Sequence, residues 1–353
     1  MIIVGTDFHF GARNDDEVIM KAQLDFIDNV FVPQIQKHNI KHFLNLGDTW
    51  DKRKILNIKT YNTIRQRFFD VLKELEVMQY MLIGNHDIYY KNTNEVNSLS
   101  QLEKDYHNIH VVKSFEDITI GETTFGMMSW INNSNLEEAK RFIETSNANI
   151  ICGHFETVGF ELLPGIKAEH GLEKEWFARF DEVWSGHFHI PSKQGNFEYI
   201  GNPFDTSWSD YNQRKSVILF DENTKQKEYI HNPYRLYKVI DYSDSIDILN
   251  YDFSDLKDKF VRINVSSMEI SDNSKLALFI DSVQREAYNT EVTETGQLSF
   301  VQPEDELDVQ APQDTLSKIL STVDGMELAG LDKTKLKEML TQLYNDAEEE
   351  MSK

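Results

Sequence analysis

The stretch MIIVGTDFH (residues 1–9) runs four apolar or small residues into an aspartate and a histidine. The same join recurs in HFLNLGD (42–48), VMQYMLIGNHD (77–87), ANIICGHFE (148–156) and DEVWSGHFH (181–189). Short apolar runs bounded by glycine and polar residues read as buried strands. Between the first three lie segments of helical period. Residues 17–38 carry Ile19, Leu24, Ile27, Phe31 and Ile35, and residues 57–76 carry Ile64, Phe68, Val71, Leu72 and Leu75. Strand–helix–strand alternation predicts a layered α/β fold. DITIGETTFGMMSW (117–130) has Gly-Glu between two alternating runs and predicts a β-hairpin, so the sheets should be mixed. NLEEAKRFIETS (135–146) predicts a helix capped by Asn135, and FEYIGN (197–202) and KSVILFD (215–221) predict closing strands.

Beyond residue 236 the chemistry-bearing residues no longer cluster. KFVRINVS, NSKLALFIDSVQREAY and NTEVTET (259–266, 273–288 and 289–295) predict strand, helix and strand. The expected organisation is a main domain over 1–235, a small α+β unit over 236–297, an acidic linker over 298–313 and a helical tail over 314–353. In that tail Leu316, Ile319, Leu320 and Val323, then Leu336, Met339, Leu340 and Leu343, repeat at amphipathic spacing.

Net charge is −23, of which residues 301–353 contribute −8 from 13 acidic and 5 basic side chains. Such a balance argues against a protein that coats DNA through its overall field. Carboxylates that hold cations count toward the formal total but not toward the field of the loaded protein. A single cysteine, Cys152, excludes an internal disulfide framework and fits a reducing cytoplasm. No stretch approaches the roughly 20 apolar residues of a membrane helix, so no membrane partner is expected.

The five joins supply Asp, His and Asn, oxygen and nitrogen donors without a thiolate. That mix suits two divalent cations such as Mn²⁺ better than a structural zinc. In open α/β sheets the carboxyl ends of strands line the ligand crevice. One Asp–His pair at a strand end says little by itself; five in order define a site.

The ordered pattern DFH…GDTWD…GNHD…GHFE…GHFH resembles the calcineurin-like metallophosphoesterase superfamily over roughly residues 1–230. GTDFHFGARN and YIGNPFDTSWSD narrow the likeness to the SbcD-type recombination nucleases, in particular those of T4-like bacteriophages. The resemblance implies a four-layered α-β-β-α sandwich with mixed sheets, a small capping domain and a C-terminal helical tail. It implies that Asp7, His9 and His189 hold one metal, that Asn85, His154 and His187 hold the other, and that Asp48 bridges them. The metals, Mn²⁺ or alternatively Mg²⁺, would activate water and clamp a phosphate for in-line attack. A carboxylate has two oxygens and spans ions roughly 3.5–4 Å apart, which agrees with that role for Asp48. His86 would stabilise the transition state and protonate the leaving oxygen. Asp51 stands where many phosphoesterases place the carboxylate that orients this histidine; some relatives carry a histidine there, which leaves open a role in shaping the substrate path.

The implied activity is exonucleolytic cleavage of double-stranded DNA, with endonucleolytic cleavage of single strands, in recombination, repair and replication. The implied partners are DNA and an SbcC-type coiled-coil ATPase docked on residues 314–353, with a homodimer inside a heterotetramer, in the cytoplasm (of the host, if phage-encoded). A phosphatase or small-molecule phosphodiesterase shares the same motifs, and a non-enzymatic DNA-end tether shares the architecture. Lys52, Arg53 and Lys54, and more weakly Arg13, are candidate phosphate contacts, with a solvated cationic loop as the alternative. Asp87 reads as a hydrogen-bond partner rather than a ligand. His38, His42, His107, His110, His170 and His231 read as surface or core residues, and Cys152 as packing.

Overall fold

The structure is a computed structural model that describes residues 1–266, 270, 272–294 and 339. The expected linker lies outside the described residues, as does the expected tail apart from Met339. Strands β1 (Ile2–Gly5), β2 (His42–Asn45), β3 (Met78–Leu82) and β4 (Ile109–Val112) pair in parallel. A hairpin, β5 (Phe115–Ile120) and β6 (Thr123–Met128), then starts a second sheet. That sheet continues with β7 (Ile150–His154). An excursion bearing the short hairpin β8 (Glu161–Leu163) and β9 (Ile166–Lys167) intervenes. The chain returns through β10 (Glu182–Gly186), β11 (Ser192–Gln194) and β12 (Phe197–Tyr199). Strands β13 (Ser216–Phe220) and β14 (Lys227–His231) complete the first sheet antiparallel to β1. The two six-stranded sheets have the orders β14-β13-β1-β2-β3-β4 and β11-β12-β10-β7-β6-β5. Both are mixed, as the hairpin implied.

Alternation along each central strand decides the layers. Ile2, Val4, Leu44 and Leu82 point toward Cys152, Ile150, Trp184 and Phe220 between the sheets. Their neighbours Ile3, Phe43 and Met81 point outward, against helical residues Phe26, Phe31, Phe68 and Leu72. On the other outer face Ile151 and Val183 meet Ala139 and Ile143 of the helix Leu136–Thr145. Every central strand is covered on both faces, which is why it reads as a continuous apolar run. The result is the α-β-β-α sandwich.

The helical stretch 17–38 starts where Asp16 caps the amides of Val18 and Ile19, and 58–74 starts where Asn57 caps Lys59 and Thr60. Asn135 occupies the cap position of its helix, but its amide side chain accepts from Asn132 and donates to the Trp130 carbonyl instead of capping. It anchors a turn, not the helix.

A third sheet, β15 (Tyr237–Tyr242), β16 (Phe260–Val265) and β17 (Asn289–Glu294), is all parallel. The helix Asn273–Glu286 buries Phe279 and Val283 on it. Strand and helix fall where the sequence put them, and β15 is an addition. This unit meets the sandwich through Tyr237, Phe260 and Leu236 against Ala12, Ile19 and Ala22. Arg262 stacks over Trp208, 4.0 Å from the ring centre. Among the described residues no helix is long and apolar enough to cross a membrane.

Candidate metal centre

The loops that leave β1 and β2 continue the parallel pairing beyond the strands. Asp7 N donates to Gly47 O (2.9 Å), His9 N to Asp48 O (3.1 Å) and Phe10 N to Thr49 O (3.0 Å). Asp7 and His9 are thereby placed beside Asp48. Gly84 is required by closeness: a Cβ there would stand 2.1 Å from Asp48 Oδ1. The carboxylate fills that gap and accepts from His86 N at 2.8 Å. Gly186 plays the same part at the end of β10, where a Cβ would lie 2.8 Å from Asp7 Oδ2. The next residue, His187, donates its amide to both Asp7 oxygens at 3.1 Å.

The seven expected donors converge. His9 Nε2 and His189 Nε2 are 3.0 Å apart, and each lies 3.9 Å from Asp7 Oδ1. Asn85 Oδ1 lies 3.0 Å from His154 Nε2 and 2.8 Å from His187 Nδ1. Asp48 Oδ2 stands between the groups, 3.7 Å from His9 Nε2 and 3.2 Å from His154 Nε2. Two three-residue donor clusters, Asp7–His9–His189 and Asp48–His154–His187, result, and a third combines His9 and Asp48 with His86. His154 Nδ1 faces the Leu46 carbonyl at 2.8 Å, which leaves Nε2 as its donor atom.

The electrostatics fit cations. Asp7 and Asp48 are buried. Burial opposes charge on His9, yet Asp51, Asp48 and Asp7 outweigh it and raise its pKa to about 10. His154 is likewise raised against burial, to about 9, chiefly by Asp48. Burial works against the charged form of Asp48 too, but His154, His86 and His9 hold its carboxyl well below the usual range. Burial and the charge on His9 push His189 down to about 4. Buried carboxylates demand positive charge nearby. The oxygen and nitrogen donor set suits divalent cations in that place.

One sequence expectation changes in detail and another holds. Asp51 holds His86, but through its backbone: His86 Nδ1 lies 2.5 Å from the Asp51 carbonyl oxygen. The Asp51 carboxylate faces His9 Nδ1 at 3.5 Å instead. Asp87 is the hydrogen-bond partner expected, accepting from Thr49 N, Trp50 N and Gly84 N at 3.0–3.3 Å. It ties the second motif to the third. Burial and the charge of Asp48 raise its pKa to about 7.

The cations divide. Arg13 donates to Tyr237 Oη (3.3 Å) and stacks over Phe260, so it braces the contact with the third sheet. Lys52 Nζ donates to Asn14 Oδ1 (2.6 Å) and Lys54 lies over the Tyr89 ring. Lys52, Arg53 and Lys54 line a groove of about 380 Å³ together with Ile55, Leu56 and Tyr61. Ile55 and Ile58 are 72% and 77% exposed there. Two residues at the centre were not anticipated. Trp130 packs its ring 5.0 Å from that of His187, and Glu156 Oε1 lies 3.1 Å from His187 Nε2. The only sequence signal for Glu156 was its place as the last letter of GHFE.

The four-layered sandwich with Asp, Asn and His converging from five strand ends is the arrangement that the motif resemblance implied. The chain is 28% identical over 342 residues, 97% of either chain, to "Exonuclease subunit 1" of Enterobacteria phage T4. The likeness to phage nuclease subunits read from the motifs therefore extends over almost the whole length. No family model matches the chain. Among solved structures, a novel archaeal phosphodiesterase aligns with 65% of this chain and 98% of its own at 13% identity and a TM-score of 0.34. A protein of unknown function from Aquifex aeolicus aligns with 43% and 76% at 15% identity and a TM-score of 0.27. Both likenesses are too distant to bear on function.

Proposed function

We propose that this chain is the nuclease subunit of a DNA-processing complex, hydrolysing phosphodiester bonds at a two-metal centre. The observation that carries this reading is the Asp48 carboxylate, shared between the His9 and His154 sides of the donor set. Asp7, His9 and His189 would hold one ion and Asn85, His154 and His187 the other, with Asp48 between them. Bound Mn²⁺ or Mg²⁺ would supply electrophilic stabilisation of phosphoryl oxygens and lower the pKa of water. His86 would serve the leaving oxygen. Burial lowers its pKa, and the Asp51 carbonyl claims the proton on Nδ1. Once protonated at Nε2 it is therefore a strong acid, suited to giving that proton to a departing alkoxide. Phosphates would run along the groove of Lys52, Arg53 and Lys54, where local positive charge offsets the acidic balance of the chain.

The relative's name makes it a subunit of an exonuclease. That supports exonuclease activity within a multi-subunit complex here; from the motif resemblance we further infer double-stranded DNA as substrate, work in recombination, repair and replication, and a coiled-coil ATPase as the other subunit. We assign ATPase docking to residues 314–353, control of DNA access to the unit over 236–297, and a homodimer to the assembled complex in the host cytoplasm. Residues 1–235 would contain the whole catalytic site.

The test is incubation of the chain with end-labelled duplex DNA, with and without Mn²⁺, Mg²⁺ and chelator, beside phosphate monoester and small diester substrates. Metal-dependent release of nucleotides from DNA is expected. Turnover of the small substrates with intact DNA would replace the nuclease with a phosphatase or small-molecule phosphodiesterase.

A further inference from the structure

A histidine binds a cation only through the ring nitrogen that carries no proton, so a metal centre needs something to decide which nitrogen that is. For His154 the decision is visible: its Nδ1 faces the Leu46 carbonyl and its Nε2 faces Asp48 and Asn85. His187 needs the opposite choice. Its Nδ1 lies 2.8 Å from Asn85 Oδ1, on the donor side, and its Nε2 points away. At 3.1 Å from that Nε2 stands Glu156 Oε1. We propose that Glu156 is a positioning residue that holds His187 as the Nε2–H tautomer and so presents Nδ1 to the metal. This rests on the metal-centre reading above.

The surroundings support a fixed rather than casual contact. Glu156 belongs to the segment that leaves β7, and its backbone is clamped by the chain returning from the β8–β9 hairpin. Leu172 N donates to Glu156 O at 2.9 Å, and Val158 N donates to Leu172 O at 3.1 Å. Gly171 permits the approach, since a Cβ there would lie 2.6 Å from Glu156 O and 3.0 Å from Glu156 Cβ. On the other side His187 is held by its amide on Asp7 and by the rings of Trp130 and Phe188, 5.0 and 5.1 Å away. The side chains of His187 and Glu156 are 10% and 24% exposed, so water competes little for the bond. The imidazole stands between Glu156 and Asn85, which keeps Glu156 out of the donor set while it orients a member of it.

The experiment uses the full chain, Mn²⁺ as probe, and Glu156→Ala and Glu156→Gln. Mn²⁺ binding is followed calorimetrically and by electron paramagnetic resonance, and imidazole nitrogens are followed by ¹⁵N NMR in the metal-free protein. Wild type should take up two Mn²⁺ and show His187 protonated at Nε2. Glu156→Ala should weaken one of the two sites by roughly 10–100-fold, leave the other unchanged, and mix the His187 tautomers. Glu156→Gln, whose amide oxygen still accepts from Nε2–H, should keep the tautomer and lose less. Wild-type affinities at both sites in both variants would overturn the inference, as would equal weakening of both sites with a lowered metal-free Tm. A wild-type spectrum with His187 protonated at Nδ1 overturns it whether or not the variants fold. Fewer than two Mn²⁺ in wild type would overturn the metal reading and this inference together; two in wild type beside unaffected variants would overturn this inference alone.

Discussion

Asp51 offers the sharpest test of the site, because its backbone and its side chain face different histidines. Asp51→Ala removes the carboxylate and keeps the carbonyl. His86, held by that carbonyl at 2.5 Å, should stay in place. His9 should lose the carboxylate that lies 3.5 Å from its Nδ1. Hydrogen bonds to charged groups contribute about 1.5–3 kcal/mol; a contact this long and 20% exposed on the Asp51 side belongs at the low end. About 1.5 kcal/mol corresponds to a roughly tenfold loss of Mn²⁺ affinity at the ion that His9 holds. With saturating Mn²⁺ the cleavage rate should return to within about threefold of wild type, since the proton donor is untouched. His86→Ala should behave oppositely, keeping Mn²⁺ and DNA binding while losing roughly 10²–10⁴ in rate.

The double variant separates the two accounts. If the carboxylate acts on His9 and the carbonyl on His86, the losses of Asp51→Ala and His86→Ala should multiply at subsaturating metal. If the carboxylate works through His86, Asp51→Ala should persist at saturating Mn²⁺ and add nothing to His86→Ala. Single-turnover cleavage of end-labelled duplex across a Mn²⁺ titration reads both quantities. A loss that survives saturation and vanishes in the His86→Ala background would refute the assignment to the carbonyl.

Asp87→Ala strands buried amides of Thr49, Trp50 and Gly84, at about 1–3 kcal/mol each, so stability should fall by at least about 3 kcal/mol; a urea midpoint shift worth under about 1 kcal/mol would contradict this. Burial raises the Asp210 carboxyl, but the buried Lys215 ammonium and further donors bring it from 3.8 down to about 2. A folded pKa below the unfolded one gives stability that is complete above about pH 4 and is lost as pH falls through about 2, here about 2 kcal/mol. Asp210→Asn should flatten that acid limb and, by leaving Lys215 buried without its counter-charge, cost about 3–5 kcal/mol at pH 7; an unchanged acid limb in urea unfolding would refute the pairing. Neutralising Lys52, Arg53 and Lys54 together should reduce the slope of log affinity for DNA against log salt by about 3, and an unchanged slope would leave them as a solvated loop.

What was legible in the sequence was whatever side-chain type and period encode. The five strand-end motifs brought seven candidate donors together because strand ends of one sandwich share one crevice. The Asp87 hydrogen bonds were legible because the motifs had already claimed its neighbours. The Asp51 carbonyl left no trace, since every residue has one. Glu156 was nearly as silent, marked only as the last letter of GHFE: its value depends on the return of Gly171 and Leu172, a contact made by an excursion whose hairpin has no strong period. Strand β15 was missed because Lys238 and Asp241 interrupt its apolar alternation, while Tyr237, Ile240 and Tyr242 are buried by contacts far along the chain.

The motifs DFH and HFH nevertheless contain one physical instruction that the coordinates make plain. Asp7, His9, Asp48 and His187 all have left-handed backbone, with φ of 51°, 44°, 51° and 85°. Each costs about 1–2 kcal/mol for a residue with a Cβ, although Asp, Asn and His tolerate it better than most. Four such residues together approach the whole stability of an ordinary domain, so the surrounding contacts must over-determine them. For Asp7, His9 and His187 the phenylalanine between the paired donors is what does so. Phe8 is fully buried among Phe10, Phe31, Phe43, Phe68 and Phe204, and Phe188 stacks 4.6 Å from Tyr199. Sinking the middle residue into the core forces the residues on either side toward the same crevice. The turn that a strand end would need to aim two donors at one ion is thus imposed by packing from behind, and ligation in front has only to complete a shape the core has already set.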